Sequence, residues 1–365
     1  MHIARAAGRR LSTVILLGAL LAAVPGSAAH VAAAGPKCTA EQGQAFINSG
    51  QYDKAIQAFS CVIDAGPTDV EGYRGRIEAE ALLGRYSDVV RDYQRVMAYV
   101  VPVHGDAEVT ISDGYAARLA INPTDVRALT GLMTSRWWFY HYIDAIAVAD
   151  QLLAVSPDNL AGTMFRGSAR LLHHGSSKAK GTADVERAIQ LAPTSPHVRF
   201  LVADAYTYGL PDPQRAFDEA SLALDWGLDT PRIHAILATS YAAFGDVEAA
   251  AEHIDRSISL VTQTLVPTSP LAVGGSMSLG LVPGRVYSIP VPVTAGQAIS
   301  LTTSSPDIWD TIAVLLAPDG TPVVGSDDTN AYFAAFDWVA PTSATYTLKV
   351  TSFEAVSTGT LLVER

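Results

Sequence analysis

The chain has 365 residues, 49% of them hydrophobic and 17% charged. That length favours two domains, and that balance excludes a disordered or collagen-like chain. A formal charge of −11 argues against sequence-independent nucleic-acid binding, which draws on clustered Lys and Arg. With two cysteines, neither a disulfide-dense scaffold nor a four-cysteine zinc site can be built.

Arg5, Arg9 and Arg10 precede an apolar run from Leu11 to Val24, which is closed by Pro25-Gly26 and the small residues Ser27-Ala28-Ala29. That order predicts a signal peptide over 1–29, cleaved after Ala29 or after Ala34. The run is shorter than the ~20 residues a membrane span requires. The expectation is a bacterial-type secreted chain, outside the cell or on the exterior of its envelope, with no transmembrane anchor once the signal is removed.

Internal repetition follows. Asn48-Ser-Gly-Gln-Tyr-Asp-Lys-Ala55, Leu83-Gly-Arg-Tyr-Ser-Asp-Val89 and Phe244-Gly-Asp-Val-Glu-Ala-Ala250 each place a small apolar residue five positions after a Gly. Helix-length amphipathic stretches lie on both sides. Pro67, Pro123, Pro157 and Pro193 close second helices, and the last three are spaced 34 and 36 apart. In the first unit Gly43, Phe46, Gly50, Tyr52, Ala55, Phe59 and Pro67 occupy small, aromatic and proline positions that resemble the tetratricopeptide repeat. The resemblance implies an all-α solenoid over 36–262, about six helical hairpins, with an insertion at 100–121. A loop is expected to Ile111 and a helix from there to Ile121, and a further polar insertion around His173–Lys180. Arg76 and Glu80 sit where the motif prefers apolar residues; an internal pair and a local shift of register both stand open. The helix Val247–Val261 carries Glu248, Glu252, His253 and Arg256, which fits a polar cap.

In an antiparallel hairpin the start of the first helix meets the end of the second. An exported setting permits oxidation, so Cys38 and Cys61 are expected to form a disulfide, two buried free thiols being the alternative. The concave face of such a solenoid is the expected binding groove for a protein or peptide. Its candidate lining residues are Arg74, Glu78, Arg127, Thr130, Thr134, Trp137 and Trp138. The run Trp137-Trp138-Phe139-Tyr140-His141-Tyr142 reads either as an aromatic anchor or as packing under the insertion. Successive inner positions carry Gln44 and Ile47, Arg74 and Glu78, Thr130 and Thr134, so a clamp for a C-terminal carboxylate is not expected.

Composition changes after Thr262. Residues 263–271, with Val266-Pro-Thr-Ser-Pro270, read as a linker. From Ala272 short alternating runs, punctuated by Gly, Pro, Thr and Ser, predict an all-β sandwich over 272–365, jelly-roll-like in outline. Strands are expected near 275–280, 285–292, 297–303, 310–317, 321–325, 332–339, 344–352 and 357–363. Gly296-Gln-Ala-Ile-Ser-Leu301, Asp310-Thr-Ile-Ala-Val-Leu-Leu-Ala-Pro-Asp-Gly320, Gly325-Ser-Asp-Asp328, Trp338-Val-Ala-Pro341 and Ala344-Thr-Tyr-Thr-Leu-Lys-Val350 keep the order of landmarks in the bacterial pre-peptidase C-terminal domain, which this region resembles. The resemblance implies a non-catalytic module for adhesion, secretion or binding. Asp307, Asp310, Asp327 and Asp328 could hold a hard cation; turn residues bonding local backbone are the alternative.

No metalloprotease, nucleophile-elbow or phosphate-loop motif is spelled. Ser177-Lys-Ala-Lys180 lacks the companion motifs of a serine–lysine catalyst. The expectation is therefore not an enzyme and uses no cofactor: a secreted scaffold whose groove binds a protein or peptide and whose sandwich attaches to a cell surface or extracellular polymer. Rival readings are an accessory subunit of a secreted hydrolase and a carbohydrate- or collagen-binding adhesion module.

Overall fold

A computed structural model describes residues 38–100, 107–306, 310–327, 333–353 and 359–365. The signal peptide expected over 1–29 lies outside the described residues. Thirteen α-helices come first among them: α1 (Ala40–Asn48), α2 (Tyr52–Ala65), α3 (Val70–Leu83), α4 (Tyr86–Arg95), α5 (Ala107–Ile121), α6 (Val126–Trp138), α7 (Tyr142–Val155), α8 (Leu160–Leu172), α9 (Lys178–Leu191), α10 (Pro196–Asp204), α11 (Pro213–Asp225), α12 (Pro231–Phe244) and α13 (Val247–Val261). Two of them, α4 and α10, run on into π-helical turns at Val96–Val100 and Ala205–Gly209. The helices pair as α1–α2, α3–α4, α6–α7, α8–α9, α10–α11 and α12–α13, with α5 packed on α6 and α3.

The prolines and the residues two positions after them set the phase together. Pro67, Pro123, Pro157 and Pro193 are followed by Asp69, Asp125, Asn159 and Ser195. Each of these caps the next helix by accepting from a backbone N–H. A proline stops one helix and a capping side chain starts the next within three residues.

Several sequence expectations need correction. Helix α5 begins at Ala107 rather than after Ile111, because Ile111 and Tyr115 both drive into the core. The stretch His173–Lys180 is no insertion: His173–Ser177 form an interhelical turn and Lys178–Lys180 open α9. Ser177 caps α9, and the Lys178 ammonium donates to the carbonyls of Leu171 and Gly209. Arg76 pairs chiefly across to Asp92 on α4, while Glu80 stands 4.0 Å away on its own helix.

Nine strands follow: β1 (Thr264–Pro267), β2 (Ser276–Leu281), β3 (Arg285–Val293), β4 (Ala298–Ser304), β5 (Thr311–Leu316), β6 (Pro322–Ser326), β7 (Ala335–Val339), β8 (Ala344–Ser352) and β9 (Gly359–Glu364). They form a five-stranded sheet, β1-β3-β8-β5-β6, and a four-stranded sheet, β2-β9-β4-β7. Every pairing is antiparallel except β1 with β3. Ile289, Val291, Leu315 and Leu348 of one sheet meet Leu279, Ile299, Leu301 and Val363 of the other in one apolar core.

The segment 263–271 is not a free linker. Thr264–Pro267 pairs in parallel with Arg285–Ser288, at the sheet edge where a proline is tolerated. Nor does α13 end in a polar cap facing solvent. Its Ala251, Ile254 and Ile258 pack with Ala235 and Ala238 of α12 against Val286, Ile312, Val314 and Leu316 of the larger sheet. Lys349 on β8 donates to Asp255 at 2.7 Å beside this contact. A terminal solenoid repeat exposes the apolar stripe that a further repeat would have covered. Here the sheet covers it, and residues 38–365 form one compact unit. Strand β5 is accordingly buried on both faces, Ile312 and Val314 toward the helices and Ala313 and Leu315 toward the sandwich core.

Cys38 and Cys61 form a disulfide that ties the chain just before α1 to α2, with Cα atoms 5.8 Å apart. Replacing both by Ser is expected to cost about 3 kcal/mol, the value for a closed loop of this size. Urea unfolding of the double variant checks this; an unchanged midpoint would show the bond to be dispensable.

Candidate functional site

The seven groove residues read from the sequence fall into three places. Glu78 is buried and accepts from Arg118 and from Arg127, each at 2.7 Å. Arg127 also reaches Asn48, while Arg74 pairs with Glu71. Arg74 and Glu78 line a cavity of about 320 Å³ with Gln44, Tyr115 and Arg118. Thr130 and Thr134 are fully buried and donate to carbonyls of their own helix, from Val126 and Gly131, so neither faces a ligand. Trp137 is buried too; its Nε1 donates to Ser168 at 3.0 Å and its ring meets Phe165 edge-on at 5.1 Å. Trp138 is half-buried and stacks on Tyr93 of α4, centroids 5.7 Å apart. The aromatic run is thus neither wholly anchor nor wholly filler: Trp137 packs inward with only an edge on a cleft, and Trp138, Tyr140 and Tyr142 reach that cleft with more of their surface exposed.

That cleft holds about 400 Å³, and Trp138, Tyr140, Tyr142 and Tyr208 give it aromatic walls. Each aromatic arrives by a different local rule. Tyr140 sits just past the end of α6 in the left-handed region, φ 64°, and no other described residue apart from glycines has a positive φ. The equivalent turn positions in other hairpins are Gly50, Gly84 and Gly245, with φ of 71°, 78° and 81°. The turn closes on Arg136 in the usual way, His141 N–H to its carbonyl at 2.9 Å. A tyrosine here costs about 1 kcal/mol or more in strain, yet it is 76% exposed; Tyr142 is one of its neighbours, ring centroids 6.0 Å apart. Tyr208 enters from the π turn after α10, a kind of turn that often marks functional sites.

The cleft also has a polar edge. Asp204 is buried and accepts from Arg232 Nε at 2.7 Å. The Arg232 guanidinium lies 5.3 Å from the Tyr208 ring and 5.9 Å from that of Phe353. Asp310 and Asp327 line the same cleft. Asp307 and Asp328, their partners in the expected cation site, lie outside the described residues. Among the described residues no group of three metal-ligating side chains comes together. Tyr208, Asp204, Arg232 and Phe353 escaped the sequence reading because they come from three distant segments. The missing turn glycine at position 140 was the one signal on offer.

A second polar cluster joins α12 to α13. His234 Nε2 lies 2.9 Å from Asp229, and its Nδ1 lies 2.7 Å from Nδ1 of His253, whose ring is sandwiched by Tyr241 and His234. Arg256 also pairs with Asp229. Only one proton fits between the two Nδ1 atoms. Burial, and then the His234 charge, push His253 down to about 4 from the ordinary 6.5. The unfolded chain therefore takes up this proton first, so stability present above pH 6.5 is lost as pH falls toward about 4. Asp229 acts in the same direction: burial opposes its charge, but hydrogen bonds from Arg256 and His234 outweigh that and hold it below the usual range. Thermal melts across this window are expected to show falling stability, with a shallower slope in His253→Leu. Equal slopes would remove the histidine pair from the account.

The match to known families covers the start of the solenoid. A tetratricopeptide repeat family model matches residues 41–96. A search of curated protein sequences returns no match. Among solved structures the chain is similar to the APC/C hetero-tetramer Cut9-Hcn1, at 12% identity over 60% of this chain and 45% of that one, TM-score 0.42. It is similar to a tetratricopeptide repeat protein from Parabacteroides merdae ATCC 43184, at 14% identity over 61% and 92%, TM-score 0.40. A third is PilW, a type IV pilus biogenesis factor, at 12% identity over 60% and 89%, TM-score 0.37. The chain spans less than half the length of the first of these. By its paired helices and repeat spacing, the region from Ala40 to Val261 is a tetratricopeptide-like solenoid, followed by a β-rich region of two sheets.

Proposed function

We propose that this chain is an exported, non-catalytic scaffold whose aromatic cleft takes a peptide segment of a partner protein. Tetratricopeptide repeat proteins are generally non-catalytic and bind proteins or peptides. The observation that carries the assignment to this cleft is Tyr140, a strained and exposed aromatic at a turn position that glycine fills elsewhere in the chain. Tyr, Trp and Arg dominate the energetics of protein interfaces, and the cleft offers all three. The β-sandwich, read as a module of the pre-peptidase C-terminal kind, serves as the solenoid's cap and as a second attachment point on a surface or polymer.

A random peptide library displayed on phage tests the cleft, with selection on the wild type and counter-selection on a Trp138→Ala/Tyr140→Gly variant. Enriched peptides are expected to bind the wild type about tenfold or more tightly than the variant, the loss from one interface anchor. Tyr140→Gly alone is expected to weaken binding while leaving stability unchanged or higher, since it relieves strain. Peptides that bind both proteins equally, or no enrichment, would refute the site. Export is tested separately: the N-terminus of the mature protein should be His30 or Gly35.

A further inference from the structure

A second cleft, of about 370 Å³, lies where α4 faces the start of α12, the end of α13 and the β2–β3 turn. Arg91, Gln94 and Arg95 line it from one face of α4, Tyr99 from the π turn that follows, and Thr230 and Thr262 from the far side. Three features set its chemistry.

The first is charge. Arg91 is matched by Asp88 on its own helix at 2.9 Å. Arg95 is not matched. Its closest carboxylate is Asp92, 3.9 Å away, and both oxygens of Asp92 already accept from Arg76 at 2.5 and 2.6 Å. Arg95 is thus the cation of this cluster without a close carboxylate of its own, and its guanidinium is 42% exposed at the cleft. Asp229 also lines the cleft, but it is engaged by His234 and Arg256.

The second is Gln94. Only 7% of this residue is exposed, and its Oε1 is buried with no hydrogen-bond partner. A buried amide oxygen left without a donor is costly, about 1–3 kcal/mol. The third is size. Clefts of a few hundred Å³ match small ligands or one or two residues of a peptide.

We infer that this cleft recognises an acidic side chain of a bound peptide, the carboxylate pairing with Arg95 and Arg91 and a peptide N–H donating to Gln94. Carboxylate and adjacent donor occur together in every Asp or Glu of a peptide, and together they match a loosely paired guanidinium beside an orphaned amide oxygen. The inference rests on the reading of the chain as a peptide-binding scaffold, but uses a different cleft.

Calorimetric titration with an acetylated, amidated Glu-Glu-Glu peptide tests it, with glucuronate and inorganic phosphate as separate arms. The full disulfide-bonded protein is used, with Arg95→Gln and Gln94→Leu as variants. Saturable peptide binding is expected, weakening as salt rises and about tenfold or more weaker in Arg95→Gln, the loss of one charge-assisted hydrogen bond. Arg95 is half-exposed, so this variant should melt with the wild type. Gln94→Leu separates a ligand role from a structural one. Removing the orphan should raise stability while lowering affinity, whereas a purely structural amide would change stability alone and would overturn its assignment. Binding of glucuronate or phosphate but not peptide would overturn the peptide, as would no binding in any arm. Peptide binding lost in Trp138→Ala and kept in Arg95→Gln would place the ligand in the aromatic cleft, refuting this inference and leaving the proposed function intact.

Discussion

Asp92→Ala is expected to lower stability by about 3–5 kcal/mol, the cost of stranding one member of a buried ion pair. Asp92 is fully buried and Arg76 is 5% exposed. The carboxylate grips the guanidinium through both oxygens, and Ser60 accepts a further bond at 3.0 Å. Without Asp92 the guanidinium keeps Ser60 and, as a charged partner, only Glu80, 4.0 Å away. Burial and the Asp92 charge together push the Glu80 carboxyl well above the usual carboxylate range. Losing Asp92 removes that second influence and favours an ionised Glu80 beside Arg76, which limits the damage. Asp92→Ala combined with Glu80→Gln should therefore cost more than the two single changes added together. Arg76→Met with Asp92→Leu should recover most of the loss, because an apolar pair pays no desolvation. Urea unfolding of the four variants reads these differences. A loss below about 1 kcal/mol for Asp92→Ala would mean the pair behaves as a solvated one.

Phe59→Ala is expected to cost about 3–5 kcal/mol, the range for truncating a buried aromatic. Phe59 is 2% exposed, and its ring lies between α1 and α3. Gly43 and Gly75 flank it so closely that a methyl group at either position would overlap the ring. The three residues form one lock: two helices lose their side chains at the crossing so that an aromatic from the helix between them can fill the space. Gly75→Ala should accordingly destabilise by about 1–3 kcal/mol through overpacking. The contacts of α1 and α2 run chiefly to each other and to α3, so hydrogen exchange should speed up in α1 and α2 first and leave the sandwich protected. Uniform loss of protection would show that the N-terminal hairpin and the rest unfold as one unit.

Much of the helical part was legible because repeats act locally. A Gly at a turn, an aromatic at a crossing and a proline with a capping residue two positions later each work within about 30 residues, and the chain spells them repeatedly. The β region was legible for a similar reason, since alternation and turn residues mark strands one at a time. The candidate site was much less so. Thr130 and Thr134 occupy positions that line a groove in an idealised repeat, but both are buried, their hydroxyls bond carbonyls of their own helix, and Tyr93 of α4 reaches within 3.2 Å of Thr134. Trp137 and Trp138 are adjacent letters with different fates, since neighbours on a helix point about 100° apart.

Sequence alone indicated most element types and their phase, and favoured pairing Cys38 with Cys61 over two free thiols, because each follows from propensity, capping or the meeting of two ends of one hairpin. Tertiary structure decided what lies between distant segments. It turned the expected linker into an edge strand and the expected polar cap into a buried helix face against Ile312 and Val314. It also gathered Trp138, Tyr208, Arg232 and Phe353 around one cleft, and Arg95 and Thr262 around another. Local patterns are set by steric and hydrogen-bonding rules that act over a few residues. The clefts depend on how far the solenoid turns before the sheet meets it, and no short stretch of sequence carries that angle.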